Sequence, residues 1–440
     1  MQLLVSLASI ILVLGILVFV HEFGHYAVAK LCGVRVEVFS LGFGRRLWGF
    51  RRGETDYRLS ALPLGGYVKM AGENPMEDRT GDPGEFTSHP RWQRFLIAIA
   101  GPTANIILAI AVLAGVFMFH HETPVYWDQP AVLGWVMDKS PAQKAGLQPG
   151  DKILRIEGVN NPTWEKVLFR IALNPDQPVS LDIQRGSEIL HKTVVPQAVG
   201  VDRVGSAGWI PQGPALVSRV DPTMPAAKAG VQAGDVLTAV NGFPNASSLS
   251  AVLEANKDQP VELSILRNDQ PLTLTMTPAY VEDPENASHK RYRIGVEITD
   301  VMHVDKLPFP KALKQSWDDC KTNSGLVFEL LGKVLGGKAS VKQFSSPVGM
   351  ARESGRAAMR GPWELLSFMA LVSLQLALFN LLPIPILDGG LMLMLLIEGV
   401  IRRDIKQEIK ERVYQAAFVF LMLFAAVVIY NDVIKQLHGG

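Results

Sequence analysis

The sequence predicts a multi-span α-helical membrane protein with four transmembrane helices, a membrane-associated β-hairpin region, and two tandem extracytoplasmic domains of small, largely β build. Three observations carry this: four long apolar runs free of Lys and Arg, a Gly-rich stretch of β-prone residues between the first two runs, and an internal repeat between the second and third. Composition agrees. Of 440 residues, 48% are hydrophobic and 19% charged, below the roughly 25% usual in soluble domains. Lys plus Arg (43) nearly cancels Asp plus Glu (42), and a net charge of +1 creates no field that gathers a polyanion, so nucleic acid is not an expected partner.

Residues 1–20 carry no charge, and about 20 residues at 1.5 Å rise cover the roughly 30 Å hydrocarbon core. No Lys or Arg precedes this run and no small-x-small cleavage site follows it, so residues 1–30 read as a retained first transmembrane helix and not as a signal peptide. Residues 31–94 form a cytoplasmic and membrane-dipping β region. Within it, 34–70 interleaves β-prone residues with Gly42, Gly44, Gly49, Gly53, Gly65 and Gly66, a hairpin pattern with apolar tips at Phe43, Trp48 and Phe50. The second span is 95–119. In the region 306–362, Leu313, Trp317, Cys320, Val327, Leu331 and Val334 recur at helical spacing, a stripe suited to a membrane surface. The third transmembrane segment is 363–397, a cytoplasmic loop spans 398–412, and the fourth helix is 413–431. Basic residues cluster in 30–94 and 402–412, which places both connections in the cytoplasm and the stretch 120–362 on the opposite side. Cys32 and Cys320 stand too far apart in position and context to form a disulfide framework.

SPAQKAGLQPGDKILRIEGV from Ser140 and MPAAKAGVQAGDVLTAVNGF from Met224 repeat one pattern. Pro141 with Pro225, Gly146 with Gly230, Gly150 with Gly234, Asp151 with Asp235 and Gly158 with Gly242 keep a constant offset, which marks two copies of one domain. Each copy reads as a short helix ending in Ala-Gly, a Gly-Asp turn and an alternating strand, placed at 123–200 and 208–280.

The strongest chemical signal is His21-Glu22-Phe23-Gly24-His25 at the end of the first span. Residues four apart are separated by about 400° of helix rotation, so both imidazoles share a face and can share a metal ion. Glu22 stands on an adjacent face, where its carboxylate can act as general base toward a water on that metal. Ionisable groups at membrane depth cost about 2.5 to 3.5 kcal/mol each on insertion scales and are rarely kept without function. Catalytic zinc takes three protein ligands and leaves a fourth position for water. Asp388 supplies the missing ligand: it ends the third apolar run in NLLPIPILDGG, where Pro383 and Pro385 interrupt helical hydrogen bonding.

The signature PAxxAGxxxGDxIxxxxG resembles the PDZ domain of bacterial proteases, which implies peptide binding by strand addition and capture of peptide C-termini. HEFGH in one span, NLLPIPILDGG in a later one and PDZ-like units between them together resemble the site-2 protease family of intramembrane zinc metalloproteases, over nearly the whole chain. PLGGYVKM from Pro63 brings it closer still to the sigma-E-regulating branch of Gram-negative bacteria. The resemblance implies one Zn2+ held by His21, His25 and Asp388, water activation by Glu22, and assistance by Asn380 in binding the substrate or the developing oxyanion. It also implies substrate contacts at Gly65, Gly66, Tyr67, Asn105, Pro383 and Pro385. It implies the bacterial inner membrane as location, periplasmic PDZ-like domains, and single-span membrane proteins as substrates, such as an anti-sigma factor already trimmed outside the membrane or a remnant signal peptide. Two departures bear on fine tuning: Leu391 stands where the family often has His, and Gln375 where close relatives have Asn.

Two other classes are weighed against this intramembrane endopeptidase. A non-catalytic PDZ scaffold of the envelope has no use for a base beside metal ligands. A metal carrier places polar groups on several spans along a path. Glu22 argues against both.

Overall fold

The uncharged N-terminal run forms a 30-residue helix, α1 (Gln2–Leu31). It stops at Gly33, whose φ of +85° is open to glycine at little cost, and the amides of Gly33 and Val34 bond back to the carbonyls of Lys30 and Ala29. The computed structural model describes residues 2–73, 81–199, 204–242, 249–283, 286–336 and 347–438. It divides into two units, one of residues 1–121, 305–335 and 344–440, the other of 122–304 and 336–343.

After α1 come β1 (Val36–Arg52) and β2 (Thr55–Met70). Residues 38–41 pair on one side with 66–69 and on the other with 56–59, while 46–52 folds back on 55–60. The sheet therefore has 66–70 as an outer segment. No strand lies beside that edge among the described residues. Phe43, Trp48 and Phe50 stay exposed, as do Leu47 and Leu62. The next helix, α2 (Arg91–Phe119), carries Pro102 in its interior.

In the second unit each repeat has its own core. The first joins α3 (Pro141–Lys144), capped by the Ser140 side chain, and α4 (Trp164–Ala172) to a four-stranded sheet. The second places α5 (Pro225–Lys228) and α6 (Leu249–Asn256) on a five-stranded sheet. The repeats reach past their sequence-based limits of 123–200 and 208–280. Trp209–Pro211 pairs with Leu133–Val136, and Ala207 and Trp209 belong to the first core. Val296–Asp300 pairs with Ala215–Val220 to close the second sheet, with Ile294 in its core. These closing strands are short and distant in sequence from their partners, so no local periodicity announces them.

The Gly-Asp turn common to both copies has a structural cause. Asp151 and Asp235 are buried, each accepting a backbone amide (Gln148, Gln232) and a two-pronged bond from an arginine, Arg185 and Arg267, at 2.7–2.8 Å. Each guanidinium also donates to the glycine that ends the preceding helix, Gly146 or Gly230.

In the first unit, α7 (Phe309–Leu335) turns Ala312, Ser316 and Cys320 inward, and Cys320 packs with Ala109, Leu374 and Leu378. The expected stripe is therefore split: Leu313 and Trp317 face out, because the smaller side chains allow the closer approach to α2. Residues 337–346 of that surface region lie outside the described residues. Next come α8 (Pro347–Arg360), against α1, and α9 (Pro362–Asn380). The expected continuous third segment is broken. The chain leaves helical geometry at 381–387 and restarts as α10 (Asp388–Ile401), since the two prolines cannot donate to a helical ladder. The last helix, α11 (Gln407–His438), contains the fourth apolar run. Among the described residues, three helices, Leu4–Leu31, Arg91–Phe119 and Pro362–Asn380, are long and apolar enough to cross a membrane, and both cysteines are free.

Burial alone raises the pKa of Asp235, but its bonds to Arg267 and the Gln232 amide outweigh this and hold it below the ordinary value. The pair therefore stabilises the second repeat above about pH 4, the ordinary aspartate range, and the stabilisation fades as pH falls from there through the lower folded value. Asp235→Asn should cost about 1.5–3 kcal/mol at neutral pH. Hydrogen exchange over residues 215–300 of the detergent-solubilised chain should show faster opening in the variant, with the difference vanishing in acid.

Candidate metal centre

Two helices meet at the site because neither has side chains where they cross. A Cβ on Gly24 would lie 2.5 Å from the carbonyl oxygen of Ala100, and one on Gly101 would lie 2.3 Å from Nε2 of His25. The carbonyl of Ile97, one turn before Gly101 on α2, accepts from Nδ1 of His25 at 2.7 Å. Small residues in HEFGH and in GPTAN thus let α1 and α2 touch where the imidazoles lie. The two rings stand 4.9 Å apart at 83°.

Asp388 reaches the pair from the first turn of α10. Gly389 and Gly390 let that turn press onto the broken segment, since a Cβ on either would meet the carbonyls of Leu381, Leu382 or Ile384 at 2.2–2.3 Å. The separations are 3.3 Å between the two Nε2 atoms, 3.2 Å from His21 Nε2 to Asp388 Oδ2, and 3.5 Å from His25 Nε2 to Asp388 Oδ1. Ligands about 2.0–2.1 Å from a tetrahedral zinc lie about 3.3–3.4 Å from one another. All three ligand atoms fall within 4.8 Å of each other, and Asp388 Oδ2 is buried without a well-aligned hydrogen bond. The donor set, two imidazoles and a carboxylate, is one that zinc accepts, so the residues fit the metal.

Glu22 lines the same cavity of about 160 Å³, together with Tyr67, Val68, Met70 and Glu73. The backbone of Val68 lies beside its carboxylate, which brings the outer segment of the β sheet against the helix that carries the histidines. Gly66 allows this approach: a Cβ there would stand 3.0 Å from Val18 Cγ1 and 3.4 Å from Glu22 Cγ.

The chain belongs to peptidase family M50. The profile of that family, Peptidase family M50, matches residues 9–424. This M50 peptidase is similar to Protease RseP of Yersinia pestis, 34% identical with 98% of this chain and 99% of that one covered. It is also similar to the Regulator of sigma-E protease RseP of Escherichia coli K12, 32% identical with 97% and 98% covered. A relative in Vibrio cholerae whose name describes a zinc metalloprotease is 31% identical, with 96% and 97% covered. Among solved structures it is similar to the PDZ domain of an SdrC-like protein from Listeria monocytogenes, with 20% identity, 20% of this chain and 90% of that chain covered, and a TM-score of 0.17. It is a membrane zinc metalloprotease of the site-2 type.

Of the residues singled out in the sequence, the fold gathers His21, Glu22, His25, Tyr67 and Asp388 around one cavity. Gly65 and Gly66 are outside its lining, and each has a packing reason: a Cβ on Gly65, at φ +145°, would run into the ring of Phe43. Pro383 and Pro385 shape the break and do not line the cavity. Asn380, expected to assist catalysis, ends α9, and no hydrogen bond or ion pair joins it to the cluster among the described residues. Asn105, expected to contact substrate, is fully buried beside His21. The sequence reading passed over Gly24, Gly101 and Glu73. For the two glycines the signal was present, a residue without a side chain inside each polar motif of an apolar helix. For Glu73 there was none.

Replacing Gly101 by Ala should push His25 from its place. Zinc content of the purified variant, measured by elemental analysis, should fall well below that of the wild type while far-ultraviolet circular dichroism stays unchanged.

Proposed function

We propose that this enzyme hydrolyses a peptide bond within or near the transmembrane segment of a single-span membrane protein, with His21, His25 and Asp388 holding the zinc and Glu22 as general base. The observation that carries this is the spacing of 3.2–3.5 Å among the two imidazole Nε2 atoms and the two carboxylate oxygens of Asp388, with Glu22 in the same cavity, at the end of a long apolar helix. Zinc at this place supplies Lewis acidity, lowering the pKa of water and polarising a carbonyl. Glu22 takes the proton released and passes it to the leaving amine. The backbone of Val68 stands beside that carboxylate.

A transmembrane helix hides its peptide bonds in its own hydrogen bonds, so the substrate must be extended at the point of cleavage. The outer segment 66–70 offers the replacement: its edge is free of a neighbouring strand among the described residues, and Tyr67, Val68 and Met70 line the site. A substrate strand added there runs past Glu22. The exposed aromatic tips Trp48 and Phe50 seat the sheet in the bilayer.

The sigma-E name of the Escherichia coli relative favours an anti-sigma factor as substrate class; remnant signal peptides, which are likewise short single-span segments, are a second. We place the chain in the bacterial inner membrane with four spans, the fourth in α11, and with the two repeats as periplasmic PDZ-like domains, following the basic residues of 30–94 and 402–412. By their place in the chain between the second and third spans, the repeats act as a gate that admits substrates only after extracytoplasmic trimming.

Glu22→Gln should lower cleavage of a tethered model span by about 10²-fold or more with zinc retained, whereas Asp388→Ala should lose both. Cleavage near wild type in the first variant, or full zinc in the second, would remove the assigned role. Deleting residues 122–304 should let an untrimmed substrate be cut. If the deletion protein keeps zinc and cuts trimmed substrate yet still rejects the untrimmed one, the repeats are not a gate.

A further inference from the structure

Asn105 is fully buried, and its side-chain nitrogen Nδ2 lies 3.3 Å from Nδ1 of His21. Its Oδ1 is buried with no hydrogen-bond partner among the described residues. In this orientation the amide donates to Nδ1, so a neutral His21 carries its proton on Nε2, the atom that faces His25 and Asp388. That proton blocks a metal ion at Nε2. A half-turn of the amide exchanges two groups of nearly equal shape and puts Oδ1 where Nδ2 now stands. His21 then donates Nδ1–H to Asn105 and presents the lone pair of Nε2 to the cavity. One end of the amide lacks a protein partner in either orientation among the described residues, so the ring of His21 decides which orientation is adopted.

We infer that Asn105 is a positioning residue that turns its amide when zinc binds and fixes His21 in the tautomer that ligates through Nε2. His25 already has the equivalent support, a backbone carbonyl, at Ile97. The two ligands on α1 thus take their orientation from two positions on α2, two turns apart. The backbone oxygen of Asn105 accepts from the hydroxyl of Ser373 at 2.8 Å, and Ser373 is itself fully buried in α9. This bond ties α2 to α9 through the main chain of Asn105. It leaves the amide free to turn.

The inference rests on His21 being a zinc ligand. Partners of this kind typically contribute 10- to 100-fold in metal affinity. Four variants of the full-length protein, purified in detergent with zinc, should be titrated with a chelator while a zinc-responsive dye reports release. His21→Ala should release zinc at once; retention there overturns the ligand reading itself and this inference with it. Asn105→Leu should release zinc at chelator concentrations about 10- to 100-fold lower than the wild type. Asn105→Asp keeps an acceptor for Nδ1–H and should hold zinc at least as well as the wild type. Ser373→Ala should lower the midpoint of thermal unfolding without moving the chelator titration.

If Asn105→Leu holds zinc like the wild type and only KM rises, Asn105 contacts substrate and the inference fails. If Leu and Asp lose zinc equally, the side chain serves packing alone and the inference fails too. Should Asn105→Leu not accumulate in membranes, Asn105→Ala removes the same acceptor and is read by the same titration. Nitrogen-15 spectra of histidine-labelled protein give a second readout, with Nδ1 of His21 protonated in the zinc form of the wild type and of Asn105→Asp.

Discussion

Asp388 stands 3.2 and 3.5 Å from two imidazole nitrogens inside an apolar helix bundle, and most of the surrounding structure exists to make that approach possible. A carboxylate at that depth is costly unless it meets a cation or a metal. For it to arrive there, α9 must end at Asn380, the chain must cross residues 381–387 without helical bonds, and α10 must restart with Asp388 in its first turn. Pro383 and Pro385 break the ladder. Gly389 and Gly390 remove the side chains that would hold the restarted helix away from the broken segment. Irregular backbone among spanning helices is tolerated where protein or a cavity surrounds it, and here it does both jobs of turning the chain and aiming the ligand.

The histidine side of the site obeys the same constraint through a different device. The crossing of α1 and α2 is close enough that Gly24 meets a carbonyl and Gly101 meets an imidazole. Close approach brings polar partners within reach of both rings, the Ile97 carbonyl for His25 and the Asn105 amide for His21. In a medium without water these partners carry more weight than they would at a protein surface, because nothing else is at hand to satisfy a ring nitrogen. The β segment 66–70 then closes the remaining side, with Val68 on Glu22 and an edge open to an added strand. In the proposed function, Glu22 serves as base, the two histidines and Asp388 as ligands, and the edge of 66–70 as replacement for the substrate's own hydrogen bonds.

The repeats show a separate economy of design. One buried Asp holds both the turn that follows the short helix and an arginine from a later strand, and the second copy repeats the contact with the corresponding residues. The Gly-Asp turn shared by the copies is therefore explained by folding.

Much of this chain was legible from its residues alone. Uncharged runs of about 20 residues have few alternatives to spanning a bilayer, so α1 and α2 fall where expected. The His-x-x-x-His spacing sets two rings on one face by helix geometry, whatever the rest of the protein does. A repeat in fixed register declares two copies of one domain. What the sequence did not settle were contacts between residues far apart in the chain. The closing strands at Trp209–Pro211 and Val296–Asp300 pair with partners long before them and are too short to carry a period of their own. The inward face of α7 is set by Ala312, Ser316 and Cys320 meeting its neighbours, so a hydrophobic stripe that included Trp317 misled. Asn105 and Asn380 are chemically alike in the sequence. Only tertiary packing put one against a histidine and left the other at a helix end, because where an amide points depends on the helix that faces it, and that is a property of the assembled bundle.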